Sequence, residues 1–266
     1  MGAGSGIVHV SGLEALLAYL TDAGTWQGSA GVPSRLVEHL VLCGLAVLTA
    51  SLVALPLGFY IGHTGRFQLL GLNLANIGRA IPSYAVMVMV FPVALAAAAP
   101  LGYDPRLGLT FLPIFVAMTL MAIPPILVAT FAGIAEVDRD VVESSRGMGL
   151  TERQILRRVE LPLGLPVIIG GFRVATLQVI ATATLGAVLS GGGFGRFIID
   201  GLARRDEGML YAGVLLVAAL AIGTDLLLAG LQRGFTPRGV RVASGEEVVE
   251  AIGDLGSVAP PSLRRA

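Results

Sequence analysis

Residues 40–61 run for 22 positions without a charged side chain. About 20 mostly apolar residues suffice for a helix to cross a hydrocarbon core ~30 Å thick. Four further stretches have this character. Residues 81–101 are punctuated by Pro82, Pro92 and Pro100, and residues 107–134 contain Pro113 and the pair Pro124-Pro125. Residues 161–189 are interrupted by one charge, Arg173, and residues 209–231 by one acid, Asp225. None of these stretches alternates apolar and polar residues as a barrel strand does. The expectation is an all-α integral membrane protein with five spans. The apolar but short piece 67–77 reads as an interfacial segment leading into the second span.

Composition narrows the class. Only 14% of the 266 residues are charged, against roughly 25% in a soluble domain, and the mean hydropathy is +0.81. Such a chain is too apolar for disorder. Its 18 basic and 18 acidic residues cancel, which leaves no excess positive charge for nucleic acid. Cys43 is the one cysteine, so no disulfide forms within the chain. His9, His39 and His63 lack ligand spacing, so no metal site is expected.

The placement of arginine orients the spans. With the N-terminus outside, the inner segments hold Arg66, Arg79, Arg139, Arg146, Arg153, Arg157, Arg158, Arg233, Arg238, Arg241, Arg264 and Arg265. The outer segments hold only Arg35, Arg106, Arg196, Arg204 and Arg205. This bias puts the N-terminus outside and the C-terminus inside. Residues 1–34 become an extracytoplasmic leader, residues 35–235 the transmembrane domain, and residues 236–266 a flexible cytoplasmic tail rich in Gly, Glu, Arg and Pro. No arginine precedes Arg35, so the leader lacks the charged start of a cleaved signal peptide. Residues 13–20 read either as a short amphipathic segment or as part of a leader without function, and Trp26 suits the headgroup level.

The inner loop 136–160 concentrates six acids and five arginines. Thr151 followed three residues later by Gln154 has the form of a capping box and starts a helix through Val159. A second short helix over 140–146 ends at Gly147 or Gly149 in a left-handed turn. Two short helices with a sharp glycine turn suit docking onto a soluble partner.

The spacing within this loop carries more than its charge. Glu143-Ser144-Ser145 is followed by three residues and Gly149, then by nine more and Val159-Glu160-Leu161-Pro162. This resembles the EAA motif of permease subunits in binding-protein-dependent ABC importers, with serines for the two alanines and Val159 for isoleucine. The small serines let a helix lie close to a partner groove, and Gly149 supplies a positive φ at little steric cost. Pro162 can open the next span, where its missing N–H does no harm. Arg79-Ala80-Ile81-Pro82-Ser83 looks like a stretch of the osmoprotectant permeases, those for glycine betaine, choline and carnitine. The loop 190–202 is similar to a glycine-rich loop of the same group at Gly192, Gly193, Gly195, Ile198, Gly201 and Leu202, with Ser190 and Phe194 departing from it.

The resemblance covers about residues 16–238. It implies the type I (MetI-like) importer fold with a five-helix core. It also implies a second permease subunit (the same or homologous), two ATP-binding cassette ATPases and an extracytoplasmic solute-binding protein, with the chain held in membrane lipid of the inner cell membrane. It implies a coupling role for Glu143, Ser144, Ser145, Gly149, Val159, Leu161 and Pro162. The chain has no lysine and so no phosphate-binding loop. Accordingly no cofactor or catalytic residue is assigned to it, and ATP and Mg belong to the partner ATPase.

Several residues have two readings. Arg173, about 12 residues (~18 Å) into its span, either makes a structural contact, an ion pair with Asp225 or a bond to a carbonyl, or serves the transport path. The two lie at different depths when measured from the inner ends of their spans. Arg79, Pro82 and Ser83 form either a snorkelling anchor or a gate at the inner mouth. The run Gly191 to Gly195 is a flexible outer turn, a binding-protein contact or a plain connector. The competing function class is an ion-coupled secondary transporter with Arg173 and Asp225 as its relay. The scarcity of intramembrane charge and the absence of a visible repeat between halves argue against it.

Overall fold

The computed structural model describes residues 5–69, 71, 73, 83–98, 111–189 and 191–235. Arg79, Pro82, Ser190 and the tail 236–266 lie outside them. Regular structure among the described residues is helical: α1 Ser5–Thr21, α2 Val32–Thr64, α3 Ser83–Ala98, α4 Phe111–Ala135, α5 Arg139–Gly147, α6 Glu152–Ile155, α7 Leu161–Gly186, α8 Gly195–Arg204 and α9 Glu207–Phe235. Four continuous helices are long and apolar enough to cross a membrane: α2, α4, the run Glu152–Leu189 that contains α6 and α7, and α9. Ser83 opens α3, whose 16 residues rise about 24 Å at 1.5 Å each.

The core is made by α2, α4 and α7. Ala46, Ala50 and Ala54 of α2, Ile114, Met118 and Ile126 of α4, and Ala175, Val179 and Ala183 of α7 are all buried together. Small residues set how closely these helices approach, as they do where lipid offers no hydrophobic drive between helices. On α2, a Cβ at Gly58 would stand 2.6 Å from the Thr130 Cβ, and one at Gly62 would stand 2.7 Å from the Ile134 Cβ. Moving along α2 from Gly58 to Gly62 thus moves the same way along α4, so these two helices run parallel. The chain between them must therefore return to the side it left. On α7, Gly164 meets Gly133 and Gly186 meets Ile114 of α4, so α4 and α7 are antiparallel.

α9 lies on the outside of this trio. It packs on α7, α8 and α1, yet only Gly208, Ala212 and Gly213 of it are buried. α1 differs from the amphipathic reading of residues 13–20. It is a longer helix lying against α9, with Gly12 facing Tyr211 and Ala15 facing Gly208. Leu13 and Leu17 remain more than half exposed at 58% and 53%. A helix with apolar residues on its open side suits a lipid setting better than an aqueous one. Trp26 follows it, half exposed, with its indole N–H donating to the Leu20 carbonyl at 2.8 Å.

Pro162 also departs from its sequence reading. It is the second residue of α7, but no loop precedes it. The chain arrives as helix α6 and passes through one widened, π-type turn at Leu156–Glu160. There the Leu161 N–H reaches back five residues to the Leu156 carbonyl. Widening the turn makes room for the proline ring, which would otherwise press on the carbonyl four residues earlier. The second half of the loop 136–160 and the span after it are therefore one continuous helix.

Candidate functional site

The loop 136–160 folds as α5 and α6 around a turn at Gly149. Asp138 caps α5, its carboxylate accepting from the Asp140 N–H at 2.9 Å. Gly149 has φ +85°, the left-handed region in which a side chain strains the backbone. At the start of α6, the Gln154 side chain reaches back to accept from the Thr151 N–H at 2.8 Å. Arg146 and Glu152 clasp the two helices across the turn through contacts of 2.6 and 2.9 Å. The guanidinium bonded to Glu152 holds its carboxyl below the usual carboxylate range.

The residues singled out in this loop do not share one environment. Glu143, Ser144 and Gly149 are exposed, and nothing lies within 4 Å of a Cβ placed on Gly149. Ser145 is buried, its hydroxyl donating to the Val141 carbonyl at 2.7 Å. Val159, Leu161 and Pro162 are partly covered at the root of α7. The motif thus has an outward edge free to meet a partner and an inward edge fixed to the protein.

Two residues that the sequence reading passed over fasten that inward edge. Glu160, the last residue of the π-type turn, is only 5% exposed. Its Oε2 lies 2.6 Å from Nδ1 of His63, at the last turn of α2, and the other ring nitrogen of His63 lies 3.3 Å from Glu152. No spacing could have signalled a pair 97 residues apart. The available hint was chemical, an acid directly before Leu161-Pro162 where the chain turns apolar.

Deeper along α7, the structure brings Arg173 and Asp225 together. The guanidinium donates from Nε and Nη2 to Oδ1 at 3.0 and 2.8 Å, and from Nη2 to Oδ2 at 3.0 Å. Its Nη1 donates to Gln232 at 3.0 Å, and the Gln232 amide donates to the Pro166 carbonyl at 2.9 Å. The depth difference read from sequence shrinks because α9 continues to Phe235 rather than ending at Leu231. Measured from Phe235, Asp225 is ~15 Å along the helix.

The glycine run at the other end of the molecule is not a flexible outer turn. Gly191, Gly193 and Gly195 are buried. Gly193 (φ +82°) presents its N–H to the Glu38 carboxylate at 2.9 Å, and Phe194 presents its N–H to Nδ1 of His39 at 3.3 Å. Arg35 holds the same Glu38 oxygen at 2.8 Å. A Cβ on Gly191 or Gly195 would overlap Ile114 or the Thr184 carbonyl. The glycines are there so that the loop can enter the protein and lie against α2.

The bundle, whose first two long helices α2 and α4 run parallel, has counterparts among known proteins. The fold is similar to that of a chain in the inward-facing MetNI methionine ABC transporter (TM-score 0.64, 21% identity, covering 76% of this chain and 94% of that one). In sequence the chain is 32% identical over 204 residues to the glycine betaine/carnitine/choline transport system permease protein OpuCB of Bacillus subtilis (strain 168), covering 77% of this chain and 88% of that protein. It is 35% identical over 204 residues to the osmoprotectant import permease protein OsmW of Salmonella typhimurium (strain LT2), covering 77% and 91%. These define the class as an ABC-importer-type permease subunit related to osmoprotectant transporters.

The family profile for the inner membrane component of binding-protein-dependent transport systems matches residues 54–239, and the chain belongs to that family. It is a multi-pass, non-catalytic membrane component, and its membership implies partner ATPase and substrate-binding components.

Proposed function

We propose that the chain is the membrane-spanning permease subunit through which ATP-driven uptake of a quaternary-ammonium osmoprotectant proceeds. The substrate class is glycine betaine, choline or carnitine. The names of relatives such as OpuCB and OsmW support it. The observation that carries the mechanism is the unbroken passage from α6 into α7. A push on the exposed edge of α5 and α6 is delivered straight into a span.

In this reading two ATPases close on ATP and press on Glu143, Ser144 and Gly149, while Val159, Leu161 and Pro162 pass the movement on. α7 carries α4 with it through the Gly133–Gly164 contact and α9 through Arg173 and Asp225. The assembly alternates between a face open to a docked solute-binding protein and a face open to the cell. Five spans comprise α2, the segment containing α3, α4, α7 and α9, with the N-terminus outside. The parallel course of α2 and α4 supports that count. The exposed apolar residues Ile222, Leu226 and Leu227 of α9 face lipid or a second permease subunit. For Arg79, Pro82 and Ser83 the proposed role, read from the sequence alone, is an anchor or a gate.

The test is reconstitution of the permease with its ATPase and binding protein in proteoliposomes, followed by labelled choline, glycine betaine and carnitine. ATP-dependent accumulation of at least one of them is the expected result. Accumulation driven by a proton or sodium gradient with the ATPase omitted would instead support the secondary-transporter reading and overturn this one.

A further inference from the structure

We propose that His63 and Glu160 form a positioning pair that transmits movement of the α5–α6 helix pair into the first span, α2. This rests on reading residues 139–160 as the part that meets the ATPase.

The direct contact between the end of α2 and the loop is polar rather than packed. A cavity of about 210 Å³ opens between the end of α2 and α5, lined by Gly62, His63, Arg139, Val142, Glu143 and Arg146 among others. Apolar contact is interrupted there, so the direct link from α5 and α6 to the end of α2 is not made by packing. The bridge across the gap is His63, held at 2.6 Å by Glu160 and at 3.3 Å by Glu152. Glu152 is in turn clasped by Arg146 of α5. One line of polar contacts therefore runs from α5 through α6 to the end of α2 and the root of α7.

The chemistry suits a device that fixes position. A carboxylate as buried as Glu160 is tolerated only beside a charged or hydrogen-bonding partner, and two apolar residues would serve stability as well. His63 lies in the last turn of α2, so it fixes the end of that span. Glu160 terminates the π-type turn, a local widening of the kind found at functional sites. The pair thus joins the end of one span to the hinge at the start of another.

The test uses the full transporter, reconstituted with its ATPase and binding protein, and reads solute moved per ATP hydrolysed. His63→Gln keeps a hydrogen bond but loses the second ring nitrogen, so it no longer bridges Glu160 and Glu152 together. It is expected to leave complex assembly and ATP hydrolysis in place while lowering solute per ATP about threefold to thirtyfold, the range for residues that carry coupling between sites. His63→Arg, whose longer side chain has the neighbouring cavity to occupy, is expected to restore the ratio. If His63→Gln fails to assemble, the double variant His63→Gln/Glu160→Gln, which leaves no unpaired buried charge, is read in the same way. A wild-type ratio in His63→Gln or in the double variant overturns the proposal, as does failure of both to assemble, which would make the pair a folding element only. Failure of the underlying reading looks different: the unaltered transporter would show no ATP-dependent uptake at all.

Discussion

Gly133 of α4 and Gly164 of α7 meet backbone to backbone. A Cβ on Gly164 would lie 2.3 Å from the Gly133 carbonyl oxygen, and a Cβ on Gly133 would lie 2.7 Å from that of Gly164. The crossing sits two residues beyond Pro162, where the loop 136–160 becomes a span. Neither contact is with a flexible side-chain end, so the backbones themselves must part to admit a methyl group.

Gly164→Ala is therefore expected to destabilise the protein by about 1–3 kcal/mol, the usual cost of overpacking a close contact. Gly170→Ala is the matched control, since a Cβ there meets only the Gln232 amide at 3.8 Å. Thermal unfolding in detergent should show a lowered midpoint for the first variant and little change for the second. Equal midpoints would mean that the helices do not cross at this point.

Arg173 and Asp225 should behave as a coupled pair. Each single neutral change, Arg173→Gln or Asp225→Asn, leaves the other charge without its bidentate partner in an apolar setting. A double-mutant cycle on unfolding midpoints is expected to give a coupling energy of about 0.5–3 kcal/mol. Exchanging the two residues should recover part of what each single change loses. Strictly additive losses would show that the pair contributes no mutual stabilisation.

The spans could be read from sequence because charge is expelled from a hydrocarbon core, and that rule leaves long marks. The turn at Gly149 was legible for a local reason: Thr151 and Gln154 start a helix two residues beyond a glycine that can take positive φ. What escaped is non-local. Glu38 and His39 receive the N–H groups of Gly193 and Phe194 from 155 residues away, and no pattern near either partner announces the other. The glycine run was open to reading as a turn because glycine serves bends and close approaches alike, and only packing against Ile114 and Glu38 decides between them. Pro162 looked like a helix start for a similar reason. Proline disfavours helix continuation, yet a widened turn admits it.

The buried glycine loop gives a graded expectation. Gly193 needs positive φ and a Cβ on it would stand 2.9 Å from His39, whereas a Cβ on Gly192 meets chiefly the end of the Glu38 side chain. Gly193→Ala should therefore cost more than Gly192→Ala. Glu38→Ala removes the acceptor from the partly buried Gly193 N–H and should cost about 1–3 kcal/mol. The order Gly193→Ala below Gly192→Ala in unfolding midpoint is the result to look for, and the reverse order would contradict the buried geometry.

Gly149 separates a local cost from a partner's. A side chain there meets none of this chain's own atoms, so its internal cost is the left-handed backbone, about 1–2 kcal/mol for alanine and less for asparagine. Gly149→Asn should fold and assemble nearly normally. Gly149→Arg should fold as well, but lose association with the ATPase and abolish uptake if this edge is docked. Association at the wild-type level with intact uptake in Gly149→Arg would remove Gly149 from the coupling surface.

The clasp between Arg146 and Glu152 sets a pH dependence whose sign follows from the lowered carboxyl. Because Glu152 ionises more readily in the folded protein than in the unfolded chain, its contribution to stability is complete above the ordinary carboxylate range. It is lost as pH falls through the lowered folded value. Both side chains are about half exposed, so the effect is modest and salt-sensitive. Comparing unfolding midpoints of the wild type and Glu152→Gln from neutral to acid pH, at low salt, reads the contribution of this carboxylate, its contact with His63 included. The wild type should be the more stable near neutrality, and the gap should close on acidification. A gap that widens toward acid would place the carboxyl shift in the opposite direction, and a gap unchanged by added salt would argue that the contact between α5 and α6 is not carried by charge.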